Sequence, residues 1–463
     1  MSMKSKRPYK LPDPLTCDPA LVEQGISTEL VNDYIKAHEQ RFARYNYLEN
    51  LHRGFHDVYK EPEKENWKPD NRLAVNFPRY ITETFLGYGY GIPIKETHPD
   101  ETINDAVKVF LDNNDIIDHE SELAKSCCIY GHAYEYIYQN EEGDAKLAIC
   151  TPKELFVVYD DAVRNRALFA VRYARHATGA SVGNKVYNGD PYGEIMTPAE
   201  IIQFDGDEKK EITVNPYGMI NCVEWRLNEE RMGLYESVAG LIEAYNHTIG
   251  EKANDVDAFA EAYLAVLGAE LDEEGIYRIR DNRIINLYGT DDAKDVLVQF
   301  LQKPTADGTQ ENLLNRLERL IYETSMVANI SDETFGNAPS GIALAYKLQA
   351  MNNLVLTFDR KIKKSLKKRY KIWATLATNV QSPDAWKQID IRMTRNLPKN
   401  VQEESKIAAQ LEGIVSKETQ LSVLSIVSDP KEEIEKMDEE GAKEQDAVLN
   451  STLFGGVITD GEQ

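Results

Sequence analysis

The stretch Asp359–Lys371, DRKIKKSLKKRYK, carries eight basic residues and one acid in a chain that is otherwise acidic. On a helix, Arg360, Lys364, Lys367, Lys368 and Lys371 fall broadly together, opposite Ile362, Leu366 and Tyr370. Such a face can meet DNA, meet an acidic neighbouring subunit, or stand in solvent balancing the acid around it. Spacing alone leaves all three open. A second stretch, Ser331–Ser340 (SDETFGNAPS), sets Asp332 and Glu333 in a segment too polar and too Gly/Pro-punctuated to be core. A third candidate is His52 with His56, four apart and able to share a helix face as metal ligands. No acid lies between them and Gly54 weakens the helix, so they read as packing or surface histidines.

Other chemistry is missing from the pattern. No GxxxxGK[ST] loop is present to cradle a nucleotide, and the run Gly87–Gly91 lacks GxGxxG spacing and reads as a helix terminator and turn. There is no GxSxG elbow. Carboxylate pairs are too plentiful for any one to single out an acid–base site. Cys17, Cys127, Cys128, Cys150 and Cys222 are odd in number and lack zinc-site spacing, so reduced thiols of a cytosolic chain are expected. No catalytic residue, cofactor or metal is expected. With 77 acids against 53 Lys and Arg, the net charge is −24, which argues against a repressor or nuclease that grips phosphates. A conduit that must let a polyanion slide is compatible with that charge. So is plain solubility.

The elements that must position these residues follow from periodicity. The 463 residues allow two to four domains, and no apolar run approaches the ~18–20 residues of a membrane helix. The lead has no apolar stretch behind its charges and is not a secretory signal. Up to about residue 230 the chain reads as α+β with antiparallel strands. Helices are expected at Thr28–Tyr47, Arg79–Leu86 (after Pro78), Thr102–Asn113 and His119–Tyr130. Strands are expected at Asn71–Asn76, Ala133–Tyr138, Lys146–Cys150, Leu155–Tyr159 and Leu168–Arg175. A long amphipathic helix follows at 234–267, with Leu234, Val238, Leu241, Tyr245, Ile249, Val256, Phe259, Tyr263 and Leu267 as its stripe. Short β-like runs fill 268–309. A second helix covers Glu311–Val327, with Leu313, Leu317, Leu320, Ile321 and Thr324 on one face, and a third runs from Gly341 to Ala377 with the stripe Ile342, Ala345, Leu348, Val355, Phe358, Ile362, Leu366, Tyr370 and Trp373. A strand at Gln388–Thr394 precedes short helices and the segment Asp429–Asp446, which has nine acids against three Lys.

In this order the parts resemble the portal proteins of tailed double-stranded DNA phages with long non-contractile tails. The resemblance covers roughly residues 30–445. It is carried by Tyr45–Gly54 (YNYLENLHRG), by Asn71–Pro78 (NRLAVNFP) with Gly87–Ile94 (GYGYGIPI), and by Val223–Asn228 (VEWRLN) with Gly233 and Leu241–Asn246 (LIEAYN). Ile330–Leu344 (ISDETFGNAPSGIAL) completes it. The resemblance implies a helix-rich α+β subunit with a wing at 1–230, a first stem helix at 231–267 and a clip at 268–309. A second stem helix at 310–328, a tunnel loop at 329–341, a helix and strand returning to the wing at 342–395 and a helical crown with acidic tail at 396–463 follow. It implies a cyclic ring, usually of twelve subunits, at the capsid vertex of a virion assembled in the host cytoplasm. The implied partners are the terminase large subunit, a head-completion or tail adaptor, the major capsid and scaffolding proteins, and double-stranded DNA passing without sequence readout; no membrane is involved.

On that reading Ser331, Asp332, Glu333, Thr334, Phe335, Gly336 and Asn337 face DNA. Repeated around a ring, the carboxylates at 332 and 333 make a negative belt that centres phosphates without binding them, while Phe335 and Asn337 touch the backbone. Arg278, Arg280, Asp281, Asn282 and Arg283, at an exposed turn of the clip, offer charges to the terminase and then to the adaptor. The competing expectation is a cytosolic α+β enzyme or scaffold that happens to contain long helices, which would be a monomer or dimer with a discrete pocket.

Overall fold

The computed structural model describes residues 13–23, 25–65, 68–163, 165–178, 187–260, 264–267, 297–300, 307–330, 341–396, 401–424, 426–427 and 430–454. They fall into two units, one drawn from 1–337 and 345–395, the other from 338–344 and 396–463.

Alternation of apolar residues builds the core of the first unit. Strands β1 (Leu15–Cys17), β5 (Leu155–Asp160), β6 (Ala167–Arg175), β7 (Pro191–Met196), β8 (Glu200–Asp205) and β9 (Glu208–Val214) form one sheet in that order. Every pair is antiparallel except β1 with β5. Phe156, Val158, Phe169 and Val171 face helix α2 (Thr28–Glu39), against Val31 and Ile35. Their neighbours Leu155, Val157 and Ala170 face the opposite way, onto Tyr134, Cys150 and Cys222 of a second sheet. That sheet is β10 (Cys222–Arg226), β3 (His132–Gln139) and β4 (Ala145–Cys150). Both faces of β5 are covered, so its sequence is a continuous apolar run. Each fully buried side chain here contributes roughly 1.5–3 kcal/mol. The four strands expected between residues 133 and 175 are present within a residue or two.

Several expected elements differ. The helix expected at Thr28–Tyr47 is two, α2 and α3 (Phe42–Arg53), separated at Gln40 and Arg41. The strand expected at Asn71–Asn76 is extended backbone with no strand partner. Its donors go to side chains instead: Asn71 N–H to Asn254 Oδ1 at 2.5 Å and Val75 N–H to Asn246 Oδ1 at 2.8 Å. Helix α4 (Phe77–Tyr90) starts at an Asn76 cap with Pro78 in its first turn, as expected, but it does not stop at Gly87. Gly89 within it admits Val355 of a later helix; a Cβ there would stand 3.0 Å from Val355 Cγ1. The strand expected at Gln388–Thr394 is β13 (Asp390–Arg392), and it pairs with β2 (Lys95–Thr97) rather than joining the six-stranded sheet. Helices α5 (Glu101–Asp112) and α6 (Ile116–Tyr130) match expectation, α6 ending at left-handed Gly131.

The longer helices follow. A 3-10 turn at Glu236–Val238 leads into α7 (Ala239–Ala260). This helix was expected to reach Leu267; instead Leu264–Leu267 is β11, paired with β12 (Leu297–Phe300). Of LAVL only Val266 favours a strand by type, so the antiparallel pairing with β12 decides the conformation, and the β character expected for the following insertion begins earlier. Helices α8 (Asp307–Ser325) and α9 (Gly341–Trp373) complete this part. In the second unit, α10 (Val401–Gln410) is tied to α11 (Lys417–Leu421) by Gln420 Nε2, which donates to Ala408 O at 2.8 Å, and α12 (Pro430–Phe454) packs on α11.

Candidate functional site

Helices α7 and α8 pack as an antiparallel hairpin. Near one end Lys252 pairs with Glu311, and Gln310 Nε2 donates to Asp255 Oδ2 at 2.9 Å. Near the other, Tyr245 and Tyr322 both meet Phe77 edge-on, at 5.0 and 5.9 Å, and Tyr80 meets Tyr322 at 5.8 Å. These rings join the hairpin to α4. The buried stripe of α7 is not the apolar one expected. It runs Ile242, Asn246, Gly250 and Asn254, while Val256 is exposed. Two of its members are polar because the extended strip 71–76 lies on them and needs acceptors. Gly250 lets that strip close in, since a Cβ would meet Asn71 O at 3.1 Å. On α8 the buried apolar positions are Leu314, Leu317 and Ile321; Leu313 is exposed.

The base of the hairpin is fixed by a buried arginine. Arg44 of α3 pairs with Glu236 and donates to Arg231 O at 2.9 Å, and Glu236 also accepts from Gly233 N–H at 2.8 Å. Beside it, Glu224 of β10 accepts from Arg226 and Arg231, each at 2.6 Å, and from Tyr159 Oη at 2.5 Å. Burial pushes the Glu224 carboxyl up, but the two guanidiniums override it and hold it well below the usual carboxylate range.

Helix α9 sorts its basic run by face. Leu348, Val355, Phe358, Ile362, Leu366, Tyr370 and Trp373 are buried, as the expected stripe requires, whereas Ala345 is exposed. Arg360, Lys364, Lys367 and Lys371 are exposed and Lys368 is half-buried. Lys361 pairs with Glu229, and Lys371 lies over the Trp386 ring at 5.8 Å. Arg369, in the same run, points the opposite way and is fully buried. It grips Glu135 of β3 through contacts of 2.7–3.1 Å and Glu120 of α6 at 2.5 Å, with Glu96 of β2 at 3.7 Å. His119 hydrogen-bonds Glu135 at 2.8 Å, and Tyr370 Oη donates to Glu96 at 2.7 Å. Burial works against ionising Glu135, yet Arg369 and His119 bring it down to about 2. Burial and the neighbouring Glu96 push Glu120 up to about 8, and burial pushes Glu96 up as well. Ser365 Oγ donates to Glu224 O at 2.9 Å and pins the helix to β10 as well.

These anchors were absent from the sequence-based candidates. A signal for them existed. Glu135 sits inside the apolar run 133–138, and Arg369 falls in register with Ile362, Leu366 and Trp373 rather than with the lysines. The other candidates divide. His52 ends α3 and His56 lies beyond the left-handed Gly54, so they share no helix face. Both are buried, which makes them packing residues. The loop residues Ser331, Asp332, Glu333, Thr334, Phe335, Gly336 and Asn337 lie outside the described residues, as do Arg278, Arg280, Asp281, Asn282 and Arg283. Just before the loop, Ile330 N–H donates to Tyr80 Oη at 2.9 Å. The five cysteines are free and buried. Among the described residues no group of three or more His, Cys, Asp or Glu side chains could hold a metal, and no helix is long and apolar enough to cross a membrane.

Buried ion clusters thus clamp the long helices, and the lysine row stands on the exposed face of α9. The chain belongs to the SPP1-like family of phage portal proteins, whose model, described as "Phage portal protein, SPP1 Gp6-like", matches residues 31–447. It is 23% identical over 421 residues to the portal protein of Bacillus phage SPP1, covering 85% of this chain and 81% of that protein. Among solved structures it is similar to chains of the neck of an empty gene transfer agent particle (TM-score 0.41, 12% identity, 76% of this chain and 90% of that one). A chain of the native gene transfer agent virion is similar to the same degree (TM-score 0.41, 12% identity, 75% and 87%). The protein is thus a helix-rich α+β portal subunit, structural and not enzymatic, that takes its place as a homo-oligomeric ring at a capsid vertex of the virion.

Proposed function

We propose that the ring is the conduit for double-stranded DNA during packaging and ejection, with α7 and α8 as the stem around the channel. The observation that carries this is the antiparallel hairpin. Its helices are about 33 and 29 Å long at 1.5 Å per residue. The insertion at 268–309 leaves from one end of the hairpin, and the segment 329–341 leaves from the other, beside Tyr80. A docking module and a DNA-facing loop set a helix length apart suit a channel that hands DNA from an external motor to the capsid interior.

In this reading 268–309 is the clip, where Arg278, Arg280, Asp281, Asn282 and Arg283 dock the terminase large subunit and later the head-completion or tail adaptor. ATP hydrolysis belongs to that partner. Ser331–Asn337 form the tunnel loop, and Asp332 and Glu333 form the negative belt. DNA carries one negative charge per ~1.7 Å, so a like-charged belt keeps contacts weak and sequence-blind. The wing, 1–230 with the returning segment 342–395, and the crown, 396–463, face the capsid and scaffolding proteins. Twelve subunits close the ring. The lysine row of α9 meets DNA or an acidic neighbour.

Electron microscopy of the purified protein tests the ring: a closed assembly with a central hole ~20–40 Å wide is expected, since B-DNA with its grooves must pass. A monomer at all concentrations refutes it. For the loop, replacing Asp332 and Glu333 with Ala is expected to change packaging rate or packaged length; unchanged values for both would remove the belt. Deleting 268–309 is expected to abolish terminase binding while rings still form.

A further inference from the structure

The six-stranded sheet ends in a strand that covers nothing. Every residue of β9 is exposed, including Ile212 at 53% and Val214 at 81%. One edge of β9 pairs with β8; the other pairs with no strand among the described residues. An open edge of this kind is a template for an added strand. On it and beside it lie five acids, Glu200, Asp205, Asp207, Glu208 and Glu211, against two lysines, Lys209 and Lys210.

The opposite end of the same sheet is β1, and residues 1–12 lead into it. They read MSMKSKRPYKLP, with Lys4, Lys6, Arg7 and Lys10 and no acid. Their prolines have a consistent placement. In an extended strand, successive N–H groups point to alternate edges. Pro8, Pro12 and the following Pro14 share one parity, so their missing donors all fall on one edge. Arg7, Tyr9 and Leu11 then offer N–H groups to the other edge. Tyr9 and Leu11 also share a face, as Ile212 and Val214 do.

We propose that residues 1–12 of one subunit add as a strand to the β9 edge of the neighbouring subunit. The inference rests on the ring reading for the arrangement of copies. Donor and acceptor lie at opposite ends of one sheet, so the contact is head-to-tail. That is the heterologous type that closes a ring, not the self-complementary type that makes a two-fold dimer. Basic donor and acidic acceptor match in charge. Within one subunit the same segment would first have to cross five strand spacings, about 24 Å. At ~3.3 Å per residue that consumes roughly seven of its twelve residues before any pairing begins.

The test is a cysteine bridge in the full-length protein. Ser5→Cys and Thr213→Cys are introduced together; the five native cysteines are free but buried. A short bis-maleimide is applied to the native assembly, which is then denatured and sized. A ladder of covalent multimers is expected, lost when Lys4, Lys6, Arg7 and Lys10 are changed to Glu. A bridge found solely within single chains overturns the exchange between subunits. No bridge at all, with rings intact by microscopy, overturns the contact and leaves the ring reading standing. A ladder from particles that are not closed rings keeps the strand exchange and sinks the ring reading.

Discussion

Replacing Arg369 with Met should unfasten α9 from β3 and α6. The guanidinium is fully buried and makes four hydrogen bonds, three to Glu135 and one to Glu120. Met keeps most of the volume, so the loss is electrostatic rather than a cavity. Removing one partner of a buried pair costs about 3–5 kcal/mol, because the stranded carboxylates stay out of water. Domains of 150–250 residues lose roughly 2–4 °C of Tm per kcal/mol, and at that rate the fall is about 6–20 °C. The pH dependence sharpens the test. In the native protein Glu135 sits at about 2, below its ordinary 4.5. Its contribution is therefore present above pH 4.5 and lost as the pH falls through 2. Without Arg369, burial pushes Glu135 up instead, and the variant loses stability as pH rises. Thermal unfolding followed by circular dichroism at pH 5 and pH 8 reads both effects. The gap between variant and parent should be wider at pH 8. Arg369→Lys should fall between them, since it keeps the charge but not the fork. A Tm within 1–2 °C of the parent at both pH values would refute the clamp.

Three further outcomes follow from the same geometry. Burial raises both Glu120, to about 8, and its neighbour Glu96, so the pair holds more protons folded than unfolded above pH 4.5 and stability falls with rising pH from there toward 8. Glu120→Gln should flatten that slope in denaturant titrations; parallel curves would count against it. Asn246→Ala should cost about 1–3 kcal/mol by leaving the Val75 N–H without its acceptor, read as a lower denaturation midpoint at unchanged m-value. Gly131→Ala should be worse than either, because Gly131 has φ +89° and a Cβ there would stand 2.1 Å from Arg231 O; normal yield and Tm would contradict the packing described.

How legible this was in the sequence depended on whether burial was matched by apolar residues. The strands between residues 133 and 175 obeyed that match, and so did α9, where Phe358, Ile362, Leu366 and Tyr370 are where periodicity put them. Helix α7 did not. Its buried face includes Asn246 and Asn254, which serve the backbone of 71–75, and no apolar count finds a position buried for its oxygen. The same exchange explains the strand wrongly expected at 71–76: its residues suit a strand, but its donors are satisfied by a helix. The end of α7 was hidden too. Phe259, Tyr263 and Leu267 continued the helical spacing past the point where the chain turns to β11. Arg369 was concealed by its company, one buried cation among exposed ones.

A helix can present a charged face to a partner only if its rotation about its own axis is fixed. Arg369 and Ser365, holding β3 and β10, fix it in α9. The two kinds of charge on this helix should therefore fail differently. Changing Arg360, Lys364 and Lys367 to Glu removes nothing buried and, at roughly 0.5 kcal/mol or less for each surface change, should cost at most about 1.5 kcal/mol, well short of the loss expected for Arg369→Met. It should instead change what the face touches. If the partner is an acidic neighbour, ring yield falls and recovers when salt screens the new repulsion. If it is DNA, rings form normally and packaged length changes. A large Tm loss with neither effect would mean that the exposed lysines, like Arg369, serve the fold.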